Sequence, residues 1–120
     1  MATEAQMVIL TRAFDFLDWL IPRTLDFPRS QRFVVTKRLQ DAALDFYECV
    51  LDANYCKGQA RLEKQRQADA ALDKVRQYLR LAARWKWLSR EQHRHVSAMV
   101  AELGRLLGGW IKQTARDIGT

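Results

Sequence analysis

Apolar residues recur every three or four positions along almost the whole chain, the spacing that lines one face of a helix. Over residues 3–25 the row Leu10, Phe14, Leu17 and Ile21 predicts a first helix. Pro22 kinks it or tightens its last turn, and Pro28 ends it. A second helix is predicted over 30–57. Its stripe is Val35, Leu39, Ala42, Phe46, Cys49 or Val50, and Ala53, while Lys37, Gln40, Asp41, Asp45, Glu48 and Asp52 line the other side. Gly58 stands where a C-cap glycine belongs. A third helix is predicted over 60–86, starting between Gln59 and Gln67, with Ala68, Leu72, Val75, Leu79 and Ala82 facing inward. The fourth, over 89–116, opens on Ser89 with Gln92 three residues on, a capping box, and buries Val96, Val100, Leu103, Leu107 and Trp110. Four amphipathic helices with short connections predict one all-α domain over 1–120, an antiparallel up-down-up-down four-helix bundle.

The fourth helix also carries a second row of small residues: Ser97, Ala101, Gly104, Gly108 and later Ala115. Each glycine inside a helix costs roughly 1 kcal/mol relative to alanine. Trp110 and Ile111 continue the apolar period past Gly108 and Gly109, so the glycines do not simply end the helix. Ala101, Gly104 and Gly108 are therefore read as a close-packing seam, facing a helix of the same chain or of another subunit.

Composition narrows the class. The chain is 48% hydrophobic and 28% charged, which suits a globular domain. No apolar run is long enough for a membrane span and no signal-peptide pattern opens the chain, so a cytoplasmic protein without membrane contact is expected. Cys49 and Cys56 lie seven residues apart in one predicted helix, too far along the axis for a disulfide with each other. His93 and His95 point to different sides of theirs and cannot share a metal. Asp41, Asp45, Glu48 and Asp52 share a face, but without the Glu-x-x-His partners of a di-metal bundle. Phosphate loops, zinc-protease motifs and CxxC pairs are missing. A non-enzyme without metal or cofactor is expected.

The charge distribution points to a binding surface instead. Residues 57–86 hold nine Lys/Arg against three Asp/Glu, while residues 1–56 are slightly acidic. Arg76, Arg80 and Arg84 recur every four residues, flanked by Lys74 and Lys86, and Arg90 and Arg94 follow on the next helix. Arginine forks pair with phosphates, which makes this row the candidate nucleic-acid or partner face. Trp85 and Trp87 could stack on unpaired bases, but at least one is expected to cap the core at the turn between the third and fourth helices.

Pro22 followed by Pro28-Arg29, the stretch ADAALDKVRQYLRLA at 68–82 and the closing VAELGRLLGGWI carry a resemblance. The chain resembles the accessory variability determinant (Avd) proteins of diversity-generating retroelements, within a wider group of bundles that includes proteins encoded in ribosomal-RNA intervening sequences. The resemblance implies a ring-like homopentamer that binds the element's reverse transcriptase and its template RNA, or DNA, and supports mutagenic cDNA synthesis without being an enzyme. Arg76 and Arg80 match the family's paired arginines. Arg84, Lys74 and Lys86 extend the site on local charge alone. The alternative is a self-assembling structural or protein-interaction bundle of the intervening-sequence type, with no nucleic-acid role of its own.

Overall fold

The computed structural model describes residues 3–119. Four helices form: α1 (Glu4–Thr24), α2 (Val35–Tyr55), α3 (Gly58–Arg84) and α4 (Arg90–Gly119), with a 3₁₀ turn at Arg29–Gln31 between the first two. α1 packs on α2 and α4, and α3 packs on α2 and α4. The diagonal pairs do not approach, as in an up-down-up-down bundle. The body measures 50 × 25 × 21 Å, one long helix by two.

α2, α3 and α4 bury the predicted stripes. Leu39, Ala42, Phe46, Val50 and Ala53 face Ala68, Leu72, Val75, Leu79 and Ala82, and Val96, Val100, Leu103, Leu107 and Trp110 close the core. On α2 it is Val50 that enters the core and Cys49 that stays half-buried. α1 buries a different face from the one expected. Ile9, Ala13, Phe16 and Leu20 point inward, Leu10, Leu17 and Ile21 are half-buried, and Phe14 is 58% exposed. This helix is apolar around most of its circumference, so period alone admits more than one stripe.

The ends follow local chemistry. Thr3 caps α1 through a capping box with Gln6 that the apolar period does not reveal. Beyond Pro22 the chain tightens: Leu25, Asp26 and Phe27 donate to the carbonyls three residues back, at 3.1–3.2 Å. α2 begins at Val35 rather than near Ser30. Phe33 and Val34 are exposed, so no core contact holds a helix there, and Val34 provides no capping side chain. α2 ends at Tyr55 instead of Lys57, with extended Cys56 as its cap. Gly58 is left-handed (φ 59°), but as the first residue of α3, which therefore starts earlier than expected. Arg61 supplies the missing cap: its Nε reaches the carbonyls of Ala53 (3.0 Å) and Cys56 (2.8 Å), and its Nη2 that of Asn54 (3.3 Å). The Ser89–Gln92 box forms at 2.9 and 3.1 Å, and α4 runs on to Gly119.

Polar pairs, one buried and two partly buried, tie the helices together. Gln6 donates to Asn54 (3.2 Å) and Gln40 to Thr24 (2.8 Å) across α1–α2, and Gln65 donates to Thr114 (2.9 Å) across α3–α4. No helix among the described residues is long and apolar enough to cross a membrane.

Candidate nucleic-acid interface

α3 buries one flank and divides its charge between the other two. At about 100° per residue, Arg76, Arg80 and Arg84 step from the α4 side of the helix towards open solvent, while Lys74 falls on the α2 side. Lys74 accordingly lines a groove with Lys37, Asp41, Asp45 and Tyr78 of α2 and α3. The acidic stripe of α2 thus meets Lys74 and Lys64, the latter 3.7 Å from Asp52. Arg76, Arg80 and Arg84 stay together on the far edge; Lys74 does not join them.

Arg76 is the most constrained of the row. Its Nη1 pairs with Asp73 one turn back, at 2.5 Å. Its guanidinium then lies across α4 at Gly104, where a Cβ would collide with Nη2, sit 3.7 Å from Cζ and touch Leu72 at 3.8 Å. Arg76 also forms one wall of a groove of about 240 Å³ between α3 and α4, with Leu79, His93, Ser97, Val100 and Ala101. His93 and Ser97 were not among the expected site residues, although Ser97 stood in the small row beside Ala101. His95 points elsewhere, its ring 5.1 Å from that of Trp19 on α1.

This arrangement revises the seam. Ala101 is exposed on the groove, Gly104 lies under an arginine side chain, and a Cβ at Gly108 would meet nothing within 4 Å. Within one chain, the atoms nearest a Cβ at Gly104 are side-chain atoms of Arg76 and Leu72 on α3 rather than a helix backbone.

At the end of α3 the chain makes a Schellman turn. Lys86 donates its N–H to Ala83 and Trp87 to Ala82, at 3.1 and 2.8 Å. The left-handed position that glycine usually fills is Lys86, at φ 63°. The two tryptophans divide their roles. Trp87 packs on the core and on Phe27, ring centres 5.3 Å apart, whereas Trp85 leans on Trp87 and is 46% exposed. Arg84, Trp85, Lys86 and Arg90 are thus all exposed around one turn.

Among the described residues no three His, Cys, Asp or Glu side chains gather as a metal site. Both cysteines are free. Burial pushes the Cys49 thiol above its ordinary pKa, and the carboxylates of Asp52, Asp45 and Glu48 add to that against the opposing charge of Lys64.

The sequence profile of a bAvd-like family matches residues 7–114. Among solved structures, the chain is similar to a protein of unknown function from the S23 ribosomal protein family of Bacteroides thetaiotaomicron VPI-5482. The TM-score is 0.82 at 18% identity, covering 90% of this chain and 98% of that one, which shows a shared fold. No curated protein matches.

Proposed function

The chain belongs to the bAvd-like family, and from that premise we propose that it is a non-catalytic accessory protein of a diversity-generating retroelement. It binds the element's reverse transcriptase and template RNA through the outer edge of α3 and the turn after it, in the cytoplasm, and so supports mutagenic cDNA synthesis. The observation that carries this reading is the segregation of charge across α3. Arg76, Arg80 and Arg84 share one edge with Lys86 beyond them, while the acidic stripe of α2 lies on the other side. Planar guanidinium groups spaced one helical turn apart suit the phosphates of a nucleic-acid backbone, and binding releases counterions. Lys86 adds a second argument. A left-handed lysine where glycine would be unstrained gives up stability, and such outliers persist where the side chain is needed.

A ring-like homopentamer multiplies this edge. The subunits meet in a heterologous contact that closes on itself and leaves the arginine edge of each α3 open. Met7, Val8 and Phe14, exposed on α1, and the open small row at Ala101 and Gly108 give further surface for neighbours.

Co-expression with the reverse transcriptase of a diversity-generating retroelement tests the reading. The wild type is expected to co-purify with the enzyme and RNA, at a pentameric mass by light scattering. The Arg76→Ala/Arg80→Ala variant is expected to lose both partners while keeping its helicity. A monomeric mass would contradict the ring, and loss of fold in the double variant would make the arginines structural.

A further inference from the structure

Gly104 stands in the interior of a 30-residue helix, where alanine would be the better helix former. No turn or positive φ calls for glycine there. What it does is leave room. A methyl group on Gly104 would overlap Nη2 of Arg76, while its contacts with Cζ of Arg76 and Cδ2 of Leu72 would be ordinary. The only atom in the way is the tip of a flexible side chain, so alanine at 104 fits the bundle and displaces the guanidinium.

The guanidinium sits beside a groove that can use it. Asp73 holds Nη1, and among the described residues Nε and Nη2 make no hydrogen bond. Ser97 and His93 line the same groove as Arg76, together with Leu79, Val100 and Ala101. Three donor groups around an open groove with no carboxylate in its lining fit a phosphate oxygen.

We propose that Gly104 is a positioning residue for Arg76, its missing side chain keeping the guanidinium at the α3–α4 groove, where it binds a backbone phosphate of RNA together with Ser97 and His93. The inference rests on reading the α3 edge as the RNA-binding surface, and it adds a residue that carries no charge and touches no ligand. Gly104 is bare for the sake of Arg76.

A double-mutant cycle on the full chain tests it, reading binding of a labelled RNA stem-loop by anisotropy and helicity by circular dichroism. Gly104→Ala is expected to keep or raise the melting temperature and to weaken RNA binding about tenfold, the size of one charge-assisted contact. In an Arg76→Ala background the same change is expected to leave binding the same within about twofold, because the group it displaces is gone. An Arg76→Lys background is expected to be equally indifferent, since a slender ammonium can go around the methyl. Gly109→Ala, on the same helix with nothing near its Cβ, is the control for the glycine itself.

Undiminished RNA binding by Gly104→Ala, when Arg76→Ala binds poorly, would overturn the positioning role and leave the RNA surface standing. Equal losses with and without Arg76 would make the glycine's role structural and likewise overturn it. Loss of reverse-transcriptase capture with RNA binding intact would assign the groove to a protein carboxylate. A wild type that binds no RNA at all would fell the underlying reading, a result distinct from each of these.

Discussion

Lys86 donates its backbone N–H to the carbonyl of Ala83 from a left-handed conformation, closing α3 with the turn that glycine normally makes. An L-residue pays about 1 kcal/mol or more for that conformation. Lys86→Gly should therefore raise stability by about 1 kcal/mol in urea unfolding, whereas Lys86→Ala, which keeps a Cβ, should leave it nearly unchanged. If the lysine is kept for its charge, both variants should bind RNA more weakly. A Lys86→Gly variant no more stable than wild type would mean that the turn relaxes without strain.

The two tryptophans next to that lysine should respond to truncation by very different amounts. Trp87 packs against the core through Phe27, and its truncation to alanine should cost about 2–4 kcal/mol. Trp85 is half outside, and Trp85→Ala should stay within about 1 kcal/mol. Thermal melts of the two variants separate the cases, and comparable losses would contradict the division of roles.

How much of this was legible in the sequence depended on how many answers each pattern allowed. α2, α3 and α4 each carry one apolar row against a polar background, so their inner faces could be read directly. α1 offers Leu10, Phe14, Leu17 and Ile21 as well as Ile9, Phe16 and Leu20, and only packing decides between them. The start of α2 was hidden because Val34 caps nothing, and the start of α3 because Lys57 provides no capping side chain either and the helix opens on a left-handed glycine. Arg61 looks like one more cation in a basic segment, yet its guanidinium closes α2. Charge spacing did identify Arg76, Arg80 and Arg84 as neighbours; it could not show that Lys74 turns to α2, or that an arginine lies over Gly104.

The buried pair of Gln65 and Thr114 joins α3 to α4, and Gln65 Oε1 has no partner. Thr114→Val strands the Gln65 amide and should cost about 1–3 kcal/mol. Adding Gln65→Leu to that variant removes the stranded group and should recover most of the loss. Denaturant unfolding of both variants reads this out, and additive losses would show that the pair contributes packing rather than polar satisfaction.

Cys49 should behave as a protected thiol. Its pKa is raised, so the thiolate is scarcer at neutral pH than in a free cysteine, and alkylation by iodoacetamide should be slow there and accelerate as pH climbs past the ordinary thiol range. The sign for stability follows. Folding favours the protonated form, so this contribution is fully present below the unfolded-state pKa and is lost as pH rises through the folded one. Mass-resolved alkylation of a Cys56→Ser variant across pH checks the first point. Fast labelling at pH 7 would contradict the burial of Cys49.

The central claim is that the arginine edge of α3 binds RNA phosphates, and salt dependence tests it most directly. Anisotropy of a labelled RNA stem-loop should show affinity falling steeply with salt, each phosphate contact adding about 0.7–0.9 to the log–log slope. In Arg76→Ala/Arg80→Ala, with helicity intact, the slope should drop by about 1.4–1.8 for each subunit engaged and binding should weaken at every salt concentration. A salt-insensitive wild type, or a folded double variant that binds with an unchanged slope, would contradict the account.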